Sequence, residues 1–284
     1  MAIQWYPGHM NKARKKIKES MPLIDIVIEV LDARIPYSSE NPLLGELRGK
    51  RPCIKLLNKS DLADPAVTKD WQRYFERERG VKAIAIMADK KGQARQLTQK
   101  ISQVARTLLR DRNFELKPAR IMIVGIPNVG KSTLLNGLAG KVLAKVGNEP
   151  AVTKIQQAIR LADGISIYDT PGMLWPRIDN EDAGYRLAVT GAIKNTAIEF
   201  EDVAHYAAGF LLKHYPDLII KRYKLKQLPI DGMSLLEEIG RRRGALRAGG
   251  HVDLHNASEV LLNEYRSGLL GRISLETPGM VKGE

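Results

Sequence analysis

Cysteine is almost missing from this chain. Cys53 stands alone inside an apolar run, so neither a disulfide framework nor a thiolate metal site is available. No apolar run approaches membrane-span length, and the first residues lack the apolar core of a signal peptide. A cytoplasmic protein without a membrane partner is therefore expected. Internal repeats and low-complexity tracts are lacking as well, which sets aside solenoid arrays. Acidic residues are short in one part only. Residues 1–175 hold 30 Lys and Arg against 17 Asp and Glu, whereas residues 176–284 hold 15 of each. The net charge of +13 thus belongs to the first part, and it favours a polyanionic partner such as a nucleic acid or ribonucleoprotein.

What is present is the composition of a soluble globular protein, 44% apolar and 27% charged. A length of 284 residues allows one large domain or two modest ones. The chain is organised around Ile121 to Asn136, where an apolar strand-like run feeds G-x-x-x-x-G-K-S and then an apolar-periodic helix. That is the context of a phosphate-binding loop. Gly125 and Gly130 allow a backbone path that larger side chains block, so the N–H groups of the loop (Asn128, Val129, Gly130 and onward to Thr133) face phosphates. Lys131 is expected to reach the β and γ phosphates and Ser132 to ligate Mg²⁺.

Taken in order, the chain opens with Trp5-Tyr6-Pro7-Gly8-His9-Met10 and a basic helix candidate carrying Lys12, Arg14, Lys15, Lys16 and Lys18. Aromatics beside a basic helix suit RNA contact through stacking and phosphate pairing. Leu23 to Asp32 reads as a buried strand that Asp32-Ala33-Arg34-Ile35-Pro36 closes at a loop. Asn41-Pro42 and Asp64-Pro65 each read as an N-cap followed by Pro at the first helical position. A second strand, Pro52 to Leu57, ends in Asn58-Lys59-Ser60-Asp61. At the carboxyl end of a parallel strand this N-K-x-D becomes a guanine reader. The Asp61 carboxylate accepts from guanine N1–H and N2–H₂, Asn58 supports the loop and N7, and the Lys59 stem covers the base. A third strand, Val81 to Met87, brings a backbone N–H near Ala88 toward guanine O6.

Past the phosphate loop, Thr153 lies where a mobile switch segment would complete the Mg²⁺ shell. A strand pair then ends in Asp169-Thr170-Pro171-Gly172, a D-x-x-G pattern in which Asp169 holds Mg²⁺ through water and the Gly172 N–H senses the γ-phosphate. Residues 176–284 change to helical spacing, with helices near Asp182–Ile193, Glu201–His214, Ser234–Arg243 and Ala257–Gly268 and a capping box at Ser234-x-x-Glu237. Two basic knots, Lys221 to Lys226 and Arg241 to Arg247, are candidate phosphate-contacting patches.

The base reader precedes the phosphate loop, the reverse of an ordinary GTPase, and the chain resembles the circularly permuted GTPases of the ribosome biogenesis GTPase A (YlqF-type) family. The likeness rests on Trp5 to Met10, Asp32 to Pro36, Asn58 to Asp61, Gly125 to Ser132, Asp169 to Gly172 and the helical tail. It implies a permuted, doubly wound, mostly parallel α/β P-loop GTPase domain over residues 1–175, basic arm included, and an all-helical domain over 176–284 that contacts RNA. It further implies hydrolysis of GTP to GDP in late assembly of the large ribosomal subunit, with rRNA rather than DNA as partner and a monomeric chain. Two positions depart from the family pattern, Ala151 in place of a Gly before Val-Thr and Met87 in place of a Ser before Ala88.

One absence bears on mechanism. Ras-type GTPases place a water-orienting Gln directly after D-x-x-G, and here Met173 stands there, so isolated hydrolysis should be slow. Three substitutes are open: a K⁺ ion held by Asn128, which the resemblance raises; His9 swinging in from the basic arm; and a group supplied by the ribosome. An RNA-assembly clamp, for which GTP only sets affinity, is the alternative to a true enzyme. A small-molecule phosphotransferase would leave N-K-x-D and D-x-x-G without a role.

Overall fold

In the computed structural model, residues 8–89, 92, 94–110, 117–139, 158–161, 164–170, 180–193 and 199–282 are described. The elements run α1 (Gly8–Ser20), β1 (Ile26–Asp32), α2 (Pro42–Arg48), β2 (Cys53–Asn58), α3 (Pro65–Phe75), β3 (Val81–Ala85), α4 (Ala94–Leu108), β4 (Ala119–Gly125), α5 (Lys131–Ala139), β5 (Ala158–Leu161) and β6 (Ile165–Asp169). There follow α6 (Glu181–Val189), α7 (Phe200–His214), α8 (Pro216–Tyr223), α9 (Gly232–Arg243), α10 (Leu254–Arg266) and α11 (Pro278–Lys282).

Six strands form one sheet in the order β3-β2-β1-β4-β6-β5, parallel except for β5 against β6. Every residue of β1 and β2 is buried, as a parallel sheet covered on both faces requires. The register sets Asp32 opposite Asn58, Val30 opposite Gly125, and Ile123 opposite Asp169, so the carboxyl ends of four strands open onto one edge. Strand order reverses between β1 and β4, and such a switch point is where an open α/β sheet binds its ligand. The expected caps hold. The Asn41 side chain accepts from the Leu43 N–H, and Asp64 accepts from Ala66 and Val67.

A buried ion group divides the apolar packing on one face of the sheet. Val27 joins a cluster with Ile17, Met21, Leu44 and Met122, while Leu31, four residues on, joins Leu57, Trp71, Phe75 and Val81. Between them Glu29 accepts from Lys55 at 3.1 Å, and Lys55 also donates to Glu40. Burial pulls the Lys55 ammonium down, but Glu29 and Glu40 outweigh it and hold its pKa above the ordinary value. The Asn41 N–H donates to Glu29 at 3.2 Å, which ties the entry of α2 to the same group.

Contacts divide the chain into an α/β unit, Tyr6–Pro176 with Glu276–Glu284, and a helical unit spanning Arg177–Leu275. The expected domain boundary lies one residue away, at 175/176. The expected second domain, however, ran through to residue 284, and the last residues instead group with the α/β unit. Glu276 reaches Ser38 and Trp71 there, and Val281 packs on the Trp71 cluster.

The helical unit packs α7, α9 and α10 through Ala204, Ala207, Leu211, Leu235, Ile239, Leu261 and Tyr265, all buried. Two readings need correction. Helix α9 begins at Gly232 with Asp231 as its N-cap, accepting from the Ser234 N–H at 2.8 Å, so Ser234 opens no capping box. The first basic knot begins inside a helix, α8, that was not anticipated. The arginines of both knots are paired. Arg222 makes two bonds to Glu264, Arg243 joins the same carboxylate at 2.9 Å, Arg241 and Arg242 meet Glu237 and Glu238, and Arg247 meets Asp253. Lys221, Lys224 and Lys226 remain exposed.

Candidate functional site

The site grows from strand ends. β4 is buried from Ile121 to Gly125, and the chain then turns through Ile126–Gly130 into Lys131, the first residue of α5. Gly130 has φ of +90°, and a Cβ there would lie 2.3 Å from Asn58 Nδ2. Only glycine satisfies both conditions. Asn128 also has a positive φ, of 60°. The loop lies at the N-terminal end of α5, a favourable place for an anion.

Lys131 is only 5% exposed. Its ammonium donates to Asp169 Oδ1 at 3.1 Å and to the Thr170 carbonyl, while Thr170 Oγ1 donates to the Ile123 carbonyl at 2.8 Å. The end of β6 is thereby fastened beside the phosphate loop. Burial pushes the Asp169 carboxyl up, and the pull of Lys131 offsets only part of that rise. Ser132 and Thr133, half-buried, follow in the first turn of α5.

β2 delivers the base reader. Asn58 Nδ2 donates to the Val129 carbonyl at 2.7 Å, and Asn58 Oδ1 accepts the Ala88 N–H at 2.9 Å. Asn58 therefore supports the loop as expected, while the Ala88 N–H expected at guanine O6 is engaged by Asn58. Lys59, at φ of 60°, donates to Asp32 Oδ2 and to the Asn128 carbonyl, both at 2.9 Å. Ser60 Oγ donates to the Ile86 carbonyl at 2.9 Å. Within this saturated loop, Asp61 Oδ1 is buried and has no hydrogen-bond partner among the described residues. An unmet buried acceptor of this kind costs about 1–3 kcal/mol or more. A ligand edge with paired N–H donors, such as guanine N1–H and N2–H₂, matches that unmet acceptor, and adenine has no such edge.

The sequence marks Asp32 only as the close of a strand and part of a family motif, with no role in the site. Asp32 accepts from Arg34 Nε at 2.9 Å, from the Arg34 terminal nitrogen at 2.7 Å and from Lys59. Burial raises the Asp32 pKa, but Arg34 and Lys59 more than reverse this and hold the carboxyl well below the usual range. The available signal was an Asp at the carboxyl end of a parallel strand, two residues before an Arg. The backbone of His9 lies in α1, but its side chain is outside the described residues, as are Thr153 and Gly172.

The base reader on β2 comes earlier in the chain than the phosphate loop after β4, yet both open onto the same sheet edge. That pairing defines a circularly permuted P-loop GTPase. Comparison with known proteins agrees. Residues 120–210 match the 50S ribosome-binding GTPase family model. Ribosome biogenesis GTPase A of Priestia megaterium is 46% identical over 98% of both chains, and that of Thermotoga maritima is 32% identical over 97% of this chain and 95% of its own. GNP-bound YlqF from T. maritima superposes with a TM-score of 0.64 at 29% identity, covering 94% of this chain and 98% of that one. The chain belongs to the ribosome biogenesis GTPase A family.

Proposed function

We propose that the chain hydrolyses GTP to GDP at this edge and uses the cycle in late assembly of the large ribosomal subunit. The observation that carries this reading is the buried, unpartnered Asp61 Oδ1 beside a phosphate loop that Asn58 and Lys59 hold in place. Asp61 reads the guanine edge, and the Lys59 stem covers the base. Lys131 exchanges Asp169 for β and γ phosphate oxygens, which places a positive charge where the transferring group develops negative charge. The loop N–H groups from Asn128 to Thr133 cradle the phosphates. Thr153 and Gly172 respond to the γ-phosphate and release on its loss.

Ser132, Asp169 and Thr153 offer an all-oxygen donor set of the kind Mg²⁺ takes; Ser132 follows Lys131 in α5, and Asp169 accepts from the Lys131 ammonium. When bound, that ion neutralises charge on the β and γ phosphates. With Met173 after D-x-x-G, water orientation falls to three sources: a K⁺ ion held by Asn128, His9, and a group of the ribosome itself. The chain acts as a cytoplasmic monomer on rRNA and pre-50S particles, not on DNA or membrane. No described helix is long and apolar enough to cross a membrane.

Nucleotide competition tests the site. GTP and GDP are expected to displace a fluorescent GDP while ATP does not, and hydrolysis is expected to run faster in K⁺ than in Na⁺. Effective displacement by ATP would revive the phosphotransferase reading, and equal rates in the two salts would remove K⁺ from the mechanism.

A further inference from the structure

The C-terminal strap, from Glu276 to the end of α11, packs on the turn that leaves β1 and on the Trp71 cluster. Glu276 is fully buried. Its Oε1 accepts the Tyr37 and Ser38 N–H groups, the latter at 3.0 Å, and its Oε2 accepts the Ser38 hydroxyl. Its own carbonyl accepts Trp71 Nε1 at 3.1 Å, which anchors the strap to the core. Tyr37 and Ser38 lie on the turn that leaves β1. That turn closes on itself: Ser39 Oγ donates to the Ile35 carbonyl at 2.7 Å and accepts the Asp32 N–H at 3.0 Å, and the Ile35 N–H donates to the Asp32 carbonyl at 2.9 Å. Asp32 in turn holds Lys59, and Lys59 holds the Asn128 carbonyl of the phosphate loop.

We propose that Glu276 is a positioning residue for guanine-nucleotide binding, fixing the turn at residues 33–39 and through it the Asp32–Lys59–Asn128 chain. The physical reason is satisfaction. Glu276 gives charge-assisted bonds to the Tyr37 N–H and, in a buried setting, to the Ser38 N–H and hydroxyl. Without it the Ser38 N–H and hydroxyl stay buried and unmet unless the turn opens toward water, and the turn is bonded to Asp32 through Ser39 and Ile35. The strap begins directly after Leu275, the last residue of the helical unit, and belongs to the α/β unit.

The proposal rests on the guanine-nucleotide reading of the site, and the test separates the two. In the full-length chain, the Kd for fluorescent GDP and the hydrolysis rate at saturating GTP are measured alongside the melting midpoint. Glu276→Ala is expected to weaken GDP binding about tenfold, equivalent to ~1.4 kcal/mol, with the saturated rate unchanged. Glu276→Gln, which keeps an acceptor at the same reach, should recover most of the affinity. Ser38→Ala, which removes one bond, should show a smaller loss in the same direction even if the first variant folds poorly. Val281→Ala loosens only the apolar packing of the strap, so it should lower the melting midpoint and leave Kd unchanged. Wild-type Kd in both Glu276→Ala and Ser38→Ala, with lowered midpoints, would make Glu276 merely structural and overturn the proposal. A wild-type chain that binds no guanine nucleotide would overturn the site itself, and this role with it.

Discussion

At the scale of single residues, the proposed site draws its base specificity from Asp61, and the loop its geometry from Gly130. Two charge-assisted hydrogen bonds to guanine are at stake at Asp61, each worth roughly 1.5–3 kcal/mol. Asp61→Asn is therefore expected to weaken GTP and GDP binding by about a hundredfold or more. The melting midpoint should hold or rise, because a buried unmet carboxylate is gone. Titration calorimetry beside a thermal scan reads both, and unchanged affinity would remove Asp61 from the base site. The phosphate loop was legible in the sequence because its spacing is dictated by backbone geometry. A φ of +90° at Gly130 and a Cβ clash at 2.3 Å leave one residue type there. The Asn58–Ala88 bond was not legible, since it depends on how two loops thirty residues apart settle against each other. Asp32 was hidden for a different reason. An Asp closing a strand is ordinary, and only the approach of Lys59 gives it a place in the site.

At the scale of elements, the turn after β1 is an electrostatic joint. Asp32 is flanked by Arg34 and Lys59, and the Arg34–Asp32 pair is almost fully buried. Removing one partner of such a pair costs about 3–5 kcal/mol, because the other charge is stranded. Asp32→Asn should show that loss in urea unfolding at neutral pH, and a loss under 1 kcal/mol would contradict it. The pH dependence has a definite sign. The folded carboxyl titrates below its ordinary 3.8, so its contribution is complete above that pH and fades as pH falls further. The wild type should therefore lose stability below about pH 4 more steeply than Asp32→Asn. The strands were readable because both faces of β1 and β2 are buried, leaving near-continuous apolar runs. Helix α8 was not, because Tyr215 alone separates it from α7 and the two periodic patterns merge. The start of α9 misled because Asp231 and Ser234 are both capping types three residues apart, and the tertiary fit chose the earlier one.

At the scale of the whole molecule, the basic excess sits with the nucleotide-binding part, while the arginines of the helical unit are largely spent on their own acids. Arg222 and Arg243 converge on Glu264; burial raises its pKa, but Arg222 and its neighbours together outweigh that and hold it low. The cations of the first basic knot left exposed are lysines, Lys221, Lys224 and Lys226, and these are the ones to test for RNA contact. Composition could report net charge by region but not which cations were already paired. The tail was equally hidden, since nothing in the letters after Leu275 says that Glu276 returns to the turn after β1. What the residue order did convey was the permutation; the expectation that Met173 in place of Gln makes unaided hydrolysis slow is the one to measure. The most direct measurement is GTP turnover in K⁺ buffer with and without isolated large ribosomal subunits. Stimulation of about a hundredfold or more, on the order of an arginine finger supplied in trans, is the predicted result. Unstimulated turnover together with tight, GTP-dependent subunit binding would contradict it and make the chain an assembly clamp.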